Sequence, residues 1–270
     1  MTTSDHTLIF DCDGVLADTE RHGHLQAFNS AFAELGIPLR WSDEEYAALV
    51  RIGGGKERIS AALADPRHRG LFGHDGPPEG LVPRIHGVKT EIYRALVADG
   101  VMPPRPGVAR LIRSALSNGW QVAVASTSAP ESVRSVLDSV VGHETAQEIP
   151  IFAGDVVPAK KPAPDIYLLA LDRMGARAHT TVVVEDSAVG MRAAVSAGLA
   201  CLVTPSSYTL AEDFTPAAAV VSSLGDEGEP TTVIADPHDA GFGDVVDVDA
   251  LQRLLTVYHH ALTSTHRERR

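Results

Sequence analysis

The chain has 270 residues, 44% hydrophobic and 21% charged, with two cysteines and a net charge of −12. That is enough apolar material for one large domain or two smaller ones. It argues against a basic surface for nucleic acid or anionic lipid, a membrane span, a disulfide framework or a thiolate metal site.

The N-terminal MTTSDHT lacks the basic stretch and apolar run of a secretory signal. A reduced, cytoplasmic setting is the expectation. Leu8-Ile9-Phe10 is an apolar run that stops at Asp11, with Asp13 two positions on and Gly14 after it. It predicts a buried strand whose carboxylate-bearing end opens at the edge of an α/β sheet.

From Glu20 to Asp99 every periodic piece reads as helix: His24 to Leu35, Glu44 to Val50, Glu57 to Leu63 and His86 to Val97. Ser42-Asp43-Glu44-Glu45 is a capping-box pattern, and Gly70 to Gly80 reads as a loop. From Pro106 onward helix and strand alternate. Helix Val108 to Leu116 stops at Asn118-Gly119, and strand Trp120 to Ala125 follows. A helix capped by Ser128 runs to Val141, and a short strand lies near Ile151-Phe152. Then come helix Asp165 to Met174, strand Thr181 to Val184, helix Ser187 to Ala197 and strand Ala200 to Val203. Gly225 to Gly243 reads as loop and Asp247 to Ala261 as a last amphipathic helix.

Strand–helix alternation specifies a parallel sheet with crossovers. The predicted architecture is therefore α/β. A Rossmann-like core of residues 1–19 and 101–270 carries an all-helical cap, residues 20–100, inserted after the first strand. Ala17 to Thr19 and Gly100 to Pro104 are the predicted hinges.

Three predicted strands end in polar residues: Asp11 after the first, Ser126-Thr127-Ser128 after Trp120 to Ala125, and Glu185-Asp186 after Thr181 to Val184. Lys161 lies between the last two groups. A carboxylate can attack an electrophile, and a second one nearby can move the proton, which makes Asp11 a candidate nucleophile and Asp13 a candidate acid/base. Hydroxyls and backbone N–H groups at a helix start can hold phosphate oxygens, with Ser126 and Thr127 the candidates. Asp11, Asp13, Glu185 and Asp186 together need cations, because two like charges 4 Å apart repel by about 4 kcal/mol at a surface-like dielectric. Oxygen-only ligands suit Mg²⁺, and Lys161 adds a further positive charge. Read separately, each residue has an ordinary structural explanation: a turn cap, helix-start acids, a solvated lysine.

In this order, Asp11 and Asp13, Ser126, Lys161, then Glu185 and Asp186 resemble the motifs of the haloacid dehalogenase superfamily of phosphohydrolases. The inserted helical block resembles the cap of its β-phosphoglucomutase-like branch. Phe10-Asp11-Cys12-Asp13-Gly14-Val15, Asp18-Thr19-Glu20, Ile52-Gly53-Gly54-Gly55-Lys56-Glu57-Arg58, Ala153 to Pro158, Lys160-Lys161-Pro162 and Val184 to Ala188 resemble the CbbY-like proteins. The resemblance implies an Mg²⁺-dependent phosphatase of a sugar bisphosphate. Xylulose 1,5-bisphosphate, a misfire product that inhibits Rubisco in the Calvin cycle, is the implied substrate. An aspartyl-phosphate intermediate on Asp11 is implied as well. Substrate contacts are then expected from Asp18, Gly54, Gly55, Lys56, Arg58, His86, Lys89 and Ser128. The expected state is a monomer with no nucleic-acid or membrane partner. The alternative is a phosphosugar mutase, which shares the core residues but returns the phosphoryl group to sugar.

Overall fold

A computed structural model of the chain describes residues 5–68, 70–72, 76–99 and 102–268. Gly100 and Val101 of the second predicted hinge, and residues 73–75 of the predicted cap loop, lie outside the described residues. Among the described residues seven strands form one sheet: β1 (Thr7–Phe10), β2 (Gln121–Ser126), β3 (Ile151–Ala153), β4 (Thr181–Glu185), β5 (Ala200–Val203), β6 (Ala219–Val221) and β7 (Val233–Ala235). Their spatial order is β3-β2-β1-β4-β5-β6-β7, parallel throughout except for the antiparallel pair β6–β7.

Helices α1 (Leu25–Glu34), α2 (Asp43–Val50), α3 (Gly55–Ala64) and α4 (Leu81–Ala98) come between β1 and β2. Helices α5 (Val108–Ser117), α6 (Pro130–Val141), α7 (His143–Glu148), α8 (Asp165–Met174), α9 (Ala188–Ser196) and α10 (Val248–Glu268) accompany the strands.

β1 is buried along its whole length because it has a strand on each side and helices on each face. Its side chains alternate between two clusters. Leu8 and Phe10 join Val122, Val124, Val182, Val184 and Leu202 on one face. Ile9 joins Ala123, Ala125, Val183 and Cys201 on the other. α1 to α4 enclose a third cluster of their own, in which Trp41 packs 4.8 Å from Phe28 and 4.9 Å from Phe32 between ring centroids. The Ser42 capping box forms as predicted, with Glu45 N–H donating to Ser42 Oγ and Ser42 N–H to the Glu45 carboxylate.

Register positions the chemistry. Phe10 lies level with Val124 on one side and Val184 on the other. Asp11, Ser126 and Glu185 therefore all sit at the carboxyl ends of adjacent strands, where a doubly wound sheet opens.

The structure departs from the sequence reading at a few elements. β6, β7 and α7 are additional, since three-residue strands are too short for periodicity to show. α4 starts at Leu81, five residues before the predicted His86, because Pro83 falls in its first turn, where no N–H partner is required. Ser128 does not cap α6. Ala129 is the cap residue, its methyl side chain offers no acceptor for the helix N–H groups, and the Ser128 hydroxyl is committed to Asp13.

Phe32 is fully buried in the aromatic cluster. Phe32→Ala is expected to lower the unfolding free energy by about 3–5 kcal/mol, read from urea denaturation. A loss below ~1 kcal/mol would show that α1–α4 do not depend on this cluster.

Candidate active site

The site is built around the ammonium group of Lys161. Its Nζ donates to Asp11 Oδ1 at 2.6 Å, to Glu185 Oε1 at 2.7 Å and to the Ala125 carbonyl at 3.0 Å. These acceptors come from the ends of β1, β4 and β2. The Tyr167 hydroxyl, from α8, donates to the same Glu185 oxygen at 2.5 Å, and its ring lies 4.8 Å from Lys161 Nζ. The other Glu185 oxygen accepts the Asp186 N–H at 3.2 Å. Burial alone would lower the Lys161 pKa, but the charges of Asp11 and Glu185 outweigh it and hold the ammonium protonated.

Asp11, Glu185 and Asp186 are all buried, and each offers a carboxylate oxygen within 4.8 Å of the others. One lysine cannot neutralise three such groups. Burial, followed by the charges of Glu185 and Asp11, raises Asp186 well above the usual carboxylate range. Burial likewise raises Asp11 to about 8 despite Lys161, with Glu185 and Asp13 adding to the effect. A compact, oxygen-only, charge-deficient set fits a hard divalent cation.

Asp13 is held differently. Its Oδ1 accepts from Thr19 Oγ1 at 2.8 Å and meets His24 Nε2 at 2.7 Å, and its Oδ2 accepts from the Ser128 hydroxyl. Burial would raise its pKa, but the His24 ring and these hydrogen bonds hold it below the ordinary range. The structure does not bring the Asp13 carboxylate into the group of Asp11, Glu185 and Asp186. His24 Nδ1 in turn lies 2.7 Å from Lys89 Nζ, which sits over the Phe28 and Tyr93 rings. With an ammonium donating to Nδ1, the other ring nitrogen carries the proton and donates to Asp13. Burial lowers Lys89 to about 8.

One pocket is lined by Asp11, Asp13, Ser126, Thr127, Ser128, Lys161, Glu185 and Asp186 from the sheet side, and by Gly54, just before α3, and Gly55, Arg58, His86 and Lys89 from α3 and α4. Residues 150 positions apart thus share one cavity. Two expected substrate contacts lie elsewhere. Lys56 pairs with Asp155 and lines a neighbouring cleft. Asp18 does not line the pocket, and its Oδ1 is buried without a hydrogen-bond partner among the described residues. Arg58 lines the pocket but is engaged by Glu20 and Tyr46.

Sequence reasoning missed Glu20, His24, Tyr167 and Gly190. Glu20 and His24 fall on a wide helical turn, Glu20–His24, that leads into α1, and Tyr167 reads as an ordinary core aromatic on α8. Gly190 follows Glu185-Asp186 by four residues; a side chain there would put Cβ 1.9 Å from Glu185 Oε1. Gly53 is forced by close approach as well, since a Cβ would lie 2.9 Å from the Lys161 carbonyl.

Residues 6–198 match the haloacid dehalogenase-like hydrolases. The chain belongs to that family. Within it the chain is CbbY-like. It is 44% identical over 239 residues to the CBBY-like protein of Arabidopsis thaliana, covering 85% of this chain and 72% of that one. The crystal structure of CbbY from Rhodobacter sphaeroides in complex with phosphate superposes with a TM-score of 0.74 at 42% identity, over 81% of this chain and 94% of that one. A mutant of the same CbbY, in complex with xylulose-(1,5)bisphosphate, gives 0.74 at 41% identity, with the same coverage. The chain is accordingly a hydrolase of the phosphatase class.

Two predictions follow from the geometry. Gly190→Ala must push Glu185 off Lys161 and Tyr167, and a displacement near 1 Å is expected to cost about 100-fold in kcat/KM; wild-type kcat/KM would refute the assignment. The second concerns pH. Asp11 and Asp186 have raised pKa values when folded. The stability they confer is present below about pH 4, the unfolded value, and is lost as pH climbs, for Asp11 towards 8. The depressed Asp13 changes nothing across this window, because its contribution is lost only on acidification, Lys89 adds stability only above about 8, and His86, lowered to about 4, adds stability as pH rises to about 6.5, the unfolded value, and nothing beyond it. The melting temperature in chelator is therefore expected to fall from about pH 6.5 to pH 8, where only the carboxylates titrate, and a divalent cation to raise it more at pH 8. A flat profile would contradict this.

Proposed function

We propose that the chain is an Mg²⁺-dependent phosphatase of a sugar bisphosphate, xylulose 1,5-bisphosphate before others, and that it works through a phosphorylated Asp11. The observation that carries this reading is the Lys161 ammonium shared between Asp11 and Glu185, with Asp186 beside them, at the base of a pocket closed by α3 and α4. The relative crystallised with xylulose-(1,5)bisphosphate supports the substrate.

Bound Mg²⁺, held by Asp11, Glu185 and Asp186, would offset the charge that these carboxylates and the ester phosphate bring together. The chain's own residues do the rest. The Asp11 carboxylate attacks phosphorus, and the P–O bond to the sugar breaks as the acyl phosphate forms. Asp13, ionised in the free site, takes up a proton as the ester phosphate is brought beside it, gives that proton to the departing alkoxide and then takes one from the water that hydrolyses the acyl phosphate. Lys161 orients Asp11 and adds positive charge beside the transferring group. Ser126 Oγ already accepts the Ser128 N–H at 3.1 Å, which fixes this loop for contact with phosphate oxygens by Ser126 and Thr127.

Residues 20–100 act as a cap over a core formed by 1–19 and 101–270. Gly54, Gly55, His86 and Lys89 face the second phosphate from the cap. Lys89 is the strongest candidate there, being buried, cationic and on the pocket wall. His86, half-buried among Lys89, Lys56 and Lys160, has its pKa lowered to about 4 by burial and then by those charges. It therefore serves as a neutral hydrogen-bonding group at pH 7.

Asp11→Asn is expected to cut phosphate release from xylulose 1,5-bisphosphate by about 10³-fold or more, with circular dichroism unchanged. Release at the wild-type rate would end the nucleophile assignment. A panel of ketose and aldose mono- and bisphosphates tests the substrate. Isomerisation of β-glucose 1-phosphate to glucose 6-phosphate without free phosphate would replace the phosphatase with the mutase.

A further inference from the structure

Arg105 stands three residues before α5, where the chain returns from the cap to the sheet, and it does not line the active-site pocket. Its backbone N–H donates to the Leu16 carbonyl at 3.0 Å. Its guanidinium is a junction. Nη1 donates to the carbonyl of Gly14, to the carbonyl of Thr204 at 2.6 Å and to Thr204 Oγ1 at 3.2 Å. Nη2 donates to the carbonyls of Pro205 at 2.9 Å and Ser222 at 3.1 Å. One side chain therefore joins the turn after β1, the loop after β5 and the end of β6. A planar fork with five N–H donors can do this, and an ammonium cannot.

The two main segments it ties are those that frame Asp186. On one side, Gly14 approaches Asp186 so closely that a Cβ would sit 2.2 Å from its Oδ2. On the other, Thr204 N–H donates to the Glu185 carbonyl at 2.7 Å, Thr209 Oγ1 donates to the Asp186 carbonyl at 2.7 Å and Ser206 N–H donates to Thr209 Oγ1 at 2.8 Å. The turn after β1 also carries Asp11 and Asp13. Beside the β1–β4 ladder, where Asp11 N–H donates to the Val184 carbonyl at 2.9 Å, the turn that follows Asp11 and the loop beside Asp186 are thus joined through one guanidinium that touches neither carboxylate.

We propose that Arg105 is a positioning residue for the divalent-cation site. By clamping Gly14 to Thr204 and Pro205, it sets the separation of the Asp11 and Asp186 carboxylates and hence the affinity for Mg²⁺. The inference rests on the reading of that carboxylate group as a cation site. Groups that orient metal ligands from outside the coordination shell alter metal affinity by about 10–100-fold when removed.

Arg105→Lys keeps the charge, removes the fork and is the variant that decides. Arg110→Lys is the control, because Arg110 makes a comparable clamp on the carbonyls of Leu224, Gly225 and Val246, away from the carboxylates. Mg²⁺ binding is measured by isothermal titration without substrate, and folded stability by urea denaturation in chelator. The expectation is a Kd for Mg²⁺ about tenfold or more weaker in Arg105→Lys, while Arg110→Lys loses stability and binds Mg²⁺ as the wild type does. Wild-type Mg²⁺ affinity in folded Arg105→Lys would overturn the proposal, as would an equal weakening in Arg110→Lys, which would mark a general loss of rigidity. A wild type that binds no Mg²⁺ would overturn the cation site itself and the role of Arg105 with it.

Discussion

The Lys161 ammonium is the constraint around which this molecule is arranged. Its three hydrogen bonds reach the ends of three neighbouring strands, so it can form them only if β1, β2 and β4 stop at one level. The register supplies that level, with Phe10 between Val124 and Val184. Bringing such charges out of water costs several kcal/mol per ion, and a buried ion pair is seldom more stabilising than apolar residues of the same volume. The cluster is therefore poorly explained as a stabilising device. It is well explained as a site that orients a nucleophile and gathers more carboxylates than its lysine can balance, so that a cation completes it.

The surroundings resolve a contradiction in the overall charge. The chain carries a net charge of −12, yet the phosphatase reading requires it to take an anion between crowded carboxylates. The positive charge is local and comes largely from the cap: Lys89 and Arg58 line the pocket opposite Asp11 and Asp186. Both are held by partners. Arg58 is bound to Glu20 and Tyr46, and Lys89 to His24. The same contacts link the cap to Asp13 through His24, so the acid/base candidate is oriented by residues on both sides of the cavity.

Glycine has two uses around this centre, and both are matters of space. At Gly190 a side chain would occupy the place of the Glu185 carboxylate, and at Gly53 it would strike the Lys161 carbonyl. The glycine-rich run before α3 reads in sequence as a phosphate cradle. In the fold, its first member lets the cap approach the segment that carries Lys161.

Much was legible in the amino-acid order because it depends on local chemistry. Apolar runs of strand length that end in acids or hydroxyls mark the strands and their functional ends, and Ser42 to Glu45 forms its cap from four consecutive residues. Asp11, Ser126, Glu185 and Asp186 stood out because polar residues follow apolar runs there, and Lys161 only by its place between two of those clusters. Other features needed the folded chain. Ser128 looks like a helix cap and instead serves Asp13, Lys56 pairs with Asp155 outside the pocket, and Asp18 lies away from it. Tyr167, His24 and Arg105 carry no sequence mark at all, since each gains its place from partners 11 to 117 positions distant. The sequence by itself determined which side chains could do chemistry and on which elements they would ride. Only the tertiary structure decided which of them meet, because hydrogen bonds a few ångströms long depend on strand register and cap placement that no local pattern encodes.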